Sequence, residues 1–210
     1  GCVSNFFVIL QATVDVQNGR YDEAEVGDLI SRTIFSSNPV TARDLYRIVG
    51  DGDIIAGVQR VADLVAVLEM GDTVLDHPPG YQQHSLGVDR NNWSTVVDTN
   101  RALTALYSGD LLTEQWRDYL LAKMAEVKPG LNYLTGYGPD EPNALVSHKN
   151  GFFPTNAGWY VDNDIGIVRF ERDGEQLAYA ISFFSQRVPT KYDDIPFAQR
   201  LTTATWAFFQ

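Results

Sequence analysis

Cysteine is almost missing from this sequence. Of 210 residues only Cys2 carries a thiol, so no intrachain disulfide can form and no cysteine-built metal site is available. Histidine is nearly as scarce. His77, His84 and His148 are scattered, with no HxxH or HExxH spacing to put two imidazoles on one helix face. No metal and no cofactor is expected. Positive charge is in deficit too: 16 Lys and Arg stand against 27 Asp and Glu, for a formal net charge of -11. A chain of that sign repels phosphate backbones and anionic lipid heads, so nucleic acid and anionic membrane surfaces are not expected partners. Long apolar runs are absent. The longest fall well short of the roughly 20 residues a membrane-spanning helix needs, and Phe6–Leu10 is too short, with the wrong flanks, for a signal peptide.

What is present suits one globular domain over residues 1–210. The hydrophobic share is 44% and the aromatic share 12%, enough for a sizeable core. Phe6–Val14 is apolar and fits a buried helix or a buried strand, since periodicity does not separate them. Asn18-Gly19 ends it as a turn. A helical segment then runs to Ser36-Ser37-Asn38-Pro39, and Pro39 biases Asn38 away from the helical region. Thr41 is a candidate cap for the next helix, which ends at Gly50. Asp53–Leu68 has apolar residues at helical spacing. His77–Asn92 is rich in Pro, Gly, Gln and Asn and reads as a long loop of the kind that often binds ligands. Two more helices follow, with Ser94 or Thr95 and then Thr113 as their caps.

After about residue 135 the pattern changes. Residues 145–210 read as three antiparallel strands and a closing helix, with Asp173-Gly174 as a hairpin turn. In that helix Phe197, Leu201, Thr205, Phe208 and Phe209 fall on or near one face. The expected fold class is α+β: a helical lobe plus an antiparallel sheet flanked by helices. No internal repeat is present.

The chemistry gathers in three short stretches. Ser4 opens the first apolar segment. Ser36-Ser37-Asn38 ends a helix. Lys149-Asn150-Gly151 lies on the first strand of the sheet, within Leu145–Phe153. As a strand, that stretch places Val146, His148 and Asn150 on one face and Ser147, Lys149 and Gly151 on the other. Gly151 lets another backbone or a ligand approach closely. The order matches the S-x-x-K, S-D-N and K-T-G set of penicillin-recognising serine enzymes. The chain thus resembles the class A β-lactamase and penicillin-binding-protein superfamily, most nearly the plain β-lactamase-related serine hydrolases of actinobacterial type. Asn92–Gly109 and Asn163–Val168 are similar to further segments of that family.

The resemblance implies a β-lactamase/transpeptidase-like fold and a serine hydrolase or acyltransferase acting on an amide or ester, with a β-lactam or cell-wall-related substrate. It implies Ser4 as nucleophile at a helix start, where the macrodipole favours developing negative charge. Ser36 would relay a proton to the leaving group, with Lys149 beside it attracting a substrate carboxylate. Asn38 would hold the substrate amide. Asn150, Gly151 and Phe152 would line the substrate, the last two through backbone. A small-molecule or cell-wall peptide ligand and an extracytoplasmic location (secreted, periplasmic or lipid-anchored) are implied in the same way. Gly1-Cys2 has the form of a lipoprotein processing site, although no linker separates it from the apolar segment.

The departures are specific. The S-x-x-K lysine falls on Phe7, which cannot take a proton, and loss of a general base costs about 10²–10⁴-fold in rate. The central Asp of S-D-N is Ser37, and the hydroxyl residue of K-T-G is Asn150. No E-x-x-L-N segment is evident between Met70 and Asn92. The family's two strands before the nucleophile helix have no counterpart in this sequence. The alternative is therefore a catalytically inactive member that binds a ligand or partner through the inherited cleft.

Overall fold

The apolar run left open between helix and strand is helical. Asn5–Gln17 forms α1, and almost every side chain on it is buried, from Phe6 and Phe7 to Val16. A helix that is apolar all round belongs at the centre of its lobe. Around it stand α2 (Glu23–Ser36), α3 (Pro39–Val49), α4 (Ile54–Val67), α5 (Val96–Ser108) and α6 (Glu114–Ala125). Then come β1 (Leu145–Pro154), β2 (Tyr160–Arg172), β3 (Glu175–Phe184) and α7 (Ile195–Phe209). The computed structural model describes residues 2–81, 91–139 and 141–209. The long loop read at His77–Asn92 is therefore described only at its two ends, and His84 lies outside the described residues. Asn92 ties those ends together: its Oδ1 accepts from Asp76 N at 2.7 Å and its Nδ2 donates to His77 O at 2.6 Å.

The sheet order is β1-β2-β3, all antiparallel, with Lys149 opposite Ile165 and Asn150 opposite Asp164. Alternation assigns the faces. Ile165 and Ile167 join the core around α1, while Val168, Phe170, Tyr179 and Ile181 pack with Trp206 of α7. The sheet is thus sandwiched between the helical lobe and α7, the α+β layering expected. Among the described residues no strand pairs with the outer edge of β3.

Two local expectations are corrected. Asn38, not Thr41, caps α3: its Oδ1 accepts from Val40 N at 2.9 Å and Thr41 N at 3.4 Å, and Pro39 occupies the first turn. An Asx side chain before an N1 proline is the favoured cap arrangement. Thr41 is buried and bonds the Thr33 hydroxyl instead, at 2.8 Å. On α7 the buried stripe is Ala198, Thr202 and Trp206, whereas Phe197, Leu201 and Phe208 are exposed. Small residues at 198 and 202 let the helix sit close, and Trp206 supplies the bulk against Phe170 at 5.0 Å.

The helical lobe is held by close backbone crossing as well as by apolar packing. A Cβ on Gly57 would meet Tyr46 O at 1.8 Å, and one on Gly50 would meet Asp53 O at 1.9 Å. Helices α3 and α4 can therefore approach only because both positions are glycine. Arg60 of α4 also forks onto the buried Asp15 of α1, at 2.6 and 2.8 Å. Gly57→Ala should lower stability in urea by about 1–3 kcal/mol, the usual cost of forcing atoms into a packed site. Gly71→Ala, where nothing lies within 4 Å, should stay within about 0.5 kcal/mol of wild type. Equal effects would contradict the close crossing.

Candidate functional site

The site forms where three elements end against one another: the entry to α1, the α2–α3 junction and the middle of β1. Lys149 is its centre. Its strand position turns it toward the helical lobe, where it is only 1% exposed. The ammonium Nζ donates to Ser37 Oγ and to Asn150 O, both at 2.5 Å. Asp164 adds a favourable field, but its oxygens are engaged by His148 Nδ1 and Thr135 N, each at 3.0 Å. Burial is the main influence on this amine and lowers it to about 8. A cation with no carboxylate bonded to it is thus fixed behind a half-buried serine.

The serine beside the lysine is Ser37, one residue from the Ser36 expected there. Ser36 closes α2 and is exposed, its hydroxyl reaching back to Arg32 O at 3.4 Å. Ser37 ends the helix in the left-handed region, at φ 52° and ψ 39°. That turn swings its hydroxyl away from the helix and onto Lys149. Glycine is the usual residue at such a helix end, and a side chain there is strained. Asn38 directs its Oδ1 into the α3 cap, so that oxygen is committed to the helix rather than offered to a substrate amide.

Further along β1, Asn150 projects its side chain to the opposite face of the sheet from Lys149. There it hydrogen-bonds Tyr133, and its Oδ1 has no partner although the residue is buried. Its contribution beside Lys149 is its carbonyl. Phe152 is also on that far face, stacked on Tyr160 with ring centroids 5.8 Å apart and capped by Lys191 at 5.1 Å. Close by, burial first and Asp194 second raise Asp162 to about 6.

Gly151 does what the strand reading asks of it. A Cβ there would strike Val3 N at 2.6 Å and Cys2 N at 2.7 Å, so the chain entering α1 crosses directly over the strand. Cys2–Ser4 form a 3-10 turn at this crossing, and Ser4 occupies the N-cap position of α1. Phe7 is buried in the core against Phe6, with centroids 5.5 Å apart, and takes no part in the cleft. Sequence reasoning gave Cys2 no place at this site and missed Asn5. Cys2 is a partly exposed free thiol, and a charge on it would favour the ammonium form of Lys149. Asn5 is fully buried, with neither side-chain polar atom partnered. A polar residue directly before the apolar run Phe6–Leu10 was the available signal for Asn5.

His148 bridges the carboxylate of Asp164 and Asn132 Oδ1, the latter at 2.6 Å. It is a satisfied strand histidine that pins the segment around residue 132 under the sheet. A depression of about 530 Å³ lies elsewhere, lined by Leu68, Glu69, Val97, Asn100 and Arg101 among others. It contains neither lysine nor cysteine, so chemistry rather than volume locates the site.

A family model described as "Beta-lactamase enzyme family" matches residues 11–209. A search of curated proteins finds no match. Solved structures share the fold at low identity. A β-lactamase from Chitinophaga pinensis DSM 2588 aligns over 100% of this chain and 85% of its own, at 20% identity and a TM-score of 0.79. A representative of class A β-lactamase from Bacteroides cellulosilyticus DSM 14838 aligns over 98% and 80%, at 23% identity and a TM-score of 0.75. A variant of PBP-A, described as an acyl-enzyme complex with penicillin G, aligns over 99% and 80%, at 16% identity and a TM-score of 0.77.

The buried lysine has a measurable consequence. Between about 8 and its ordinary value of 10.5 the folded chain has released this proton and the unfolded chain has not. Stability therefore rises with pH across that window, and the full cost of burying the cation is felt below it. Lys149→Met should melt above wild type at pH 7, with the gap closing as pH rises through the window. A gap that does not change with pH would contradict the burial of a charged amine.

Proposed function

Because the chain belongs to the β-lactamase enzyme family, we propose that it is an acyl-transferring hydrolase acting on an amide or ester within the cleft between α1, the α2–α3 junction and β1. The observation that carries this reading is the 2.5 Å contact from Lys149 Nζ to Ser37 Oγ. An ammonium that donates to a hydroxyl oxygen makes its proton cheaper to release, and here that proton is directed at Asn150 O, a long 3.5 Å away. In acyl transfer the departing nitrogen or oxygen needs a proton at that moment. Ser37, half-buried in front of Lys149, is built to deliver one.

The nucleophile in this reading comes from the Cys2–Ser4 segment, the part of the α1 entry that crosses Gly151. Among the described residues β1 pairs with no strand on the side away from β2, which leaves that side for pairing with a substrate. In a chain of net charge -11, a buried cation at the cleft floor favours a substrate carrying a carboxylate. A β-lactam or a cell-wall peptide end has both the acyl group and that carboxylate. An extracytoplasmic location accords with such substrates.

Ser37→Ala should slow acylation or hydrolysis of a penicillin or carboxylated ester by about 10²-fold or more, the range for loss of a positioned proton donor. Lys149→Met should do the same, and should act less on an ester lacking the carboxylate. Ser36→Ala should leave the rate within about twofold. A large loss from Ser36→Ala together with an active Ser37→Ala variant would reverse the assignment.

A further inference from the structure

We propose that the nucleophile of this cleft is the thiol of Cys2 rather than the hydroxyl of Ser4, and that the enzyme works through a thioester. The inference rests on the acyl-transfer reading above and deepens it.

Four observations converge. The backbone of Cys2 and Val3 stands against Gly151, with Cys2 N at 2.7 Å and Val3 N at 2.6 Å from the Cβ that glycine lacks. Cys2 is a free thiol and is not sealed from solvent. A charge on its sulfur favours the ammonium form of Lys149. Asn5, three residues on, is wholly buried with its Oδ1 and Nδ2 both unpartnered.

Asn5 points to a ligand by its own cost. A buried polar group without a partner costs about 1–3 kcal/mol, and each such group calls for an explanation. Side chains on a helix lean toward its N-terminus, so the Asn5 amide leans over the turn that carries Cys2. The residue three after Ser4 is Phe7, which lies in the core and offers nothing to a reacting group. The residue three after Cys2 is Asn5, a buried donor and acceptor without a partner. The missing lysine also weighs differently in the two cases. An ordinary serine hydroxyl needs an adjacent base, whereas a small fraction of an ordinary thiol is already thiolate near neutral pH and is intrinsically nucleophilic.

The step balances without another reactant. The Cys2 sulfur adds to the substrate acyl carbon, forming a C–S bond, and the C–N or C–O bond to the leaving group breaks. The thiol proton ends on the leaving group, relayed through the Ser37 hydroxyl. Water then cleaves the C–S bond, releasing the carboxylic acid and restoring the thiol. Asn5 is a positioning residue for the acyl oxygen or the attacking water.

The test is intact-mass spectrometry with peptide mapping after incubation with penicillin G. It uses wild type, Cys2→Ala and Ser4→Ala, each checked for folding by circular dichroism, with neutral hydroxylamine added to part of each sample. One acyl group should map to Cys2, leave on hydroxylamine treatment as a thioester does, persist in Ser4→Ala, and form at least about 10²-fold more slowly in Cys2→Ala. Asn5→Leu should raise Tm while slowing acylation. A hydroxylamine-resistant adduct on Ser4 would overturn the thiol proposal and leave the acyl-transfer reading standing. No adduct and no hydrolysis in folded wild type would overturn both.

Discussion

One contact organises the functional part of this molecule: a lysine taken out of water in the middle of β1 and held against the hydroxyl of Ser37. Removing an ammonium from water is expensive, and Lys149 meets that cost with only two strong acceptors, a serine oxygen and a backbone carbonyl. Everything around it serves the arrangement. The strand alternation turns it inward, the left-handed backbone at Ser37 brings the hydroxyl to it, and Gly151 lets the start of α1 cross overhead. The buried His148–Asp164 pair on the other face holds the strand and its neighbours in register. Such a site is costly to the fold, and strained and desolvated groups of this kind cluster at functional sites.

The cleft is assembled from three pieces far apart in sequence. Each is placed by an element with its own stabilisation: α1 by near-complete burial, the α2–α3 junction by the Asn38 cap, and β1 by ten paired positions along β2. The reacting groups are therefore held by rigid elements rather than by loops, which suits acyl transfer, where small misplacements of donor or nucleophile are expensive. The division of labour is also clear. In the proposed reaction Lys149 would supply field and orientation, Ser37 would handle the proton, and the α1 entry would bring the nucleophile.

Much of this was legible in the residues. The change from helical to strand periodicity near residue 135, the Asp173-Gly174 hairpin and the placement of Lys149 and Gly151 on one strand face all follow from spacing and turn chemistry. The identity of the serine beside Lys149 did not. Ser36 and Ser37 are the same residue type side by side, and what separates them is a positive φ at the helix end that sequence does not announce. The same gap hid the cap at Asn38, where Thr41 looked equally suitable. On α7 the phenylalanines outweighed the smaller Ala198 and Thr202, because hydrophobicity alone does not show which stripe allows close approach. At the start of the chain, attention to a serine three residues before Phe7 hid a cysteine three residues before a buried asparagine.

The central claim is that Lys149 is a desolvated amine and not an ordinary surface lysine. The sequence holds four lysines, at 123, 128, 149 and 191, few enough to resolve individually. Titration of 15N-labelled lysine side chains by NMR, with Lys149→Met for assignment, measures each one directly. The account requires one signal to titrate near 8 and to vanish in the variant. A Lys149 signal that titrates with the other lysines at the ordinary value would mean that the amine is solvated, and the site built around it would fall.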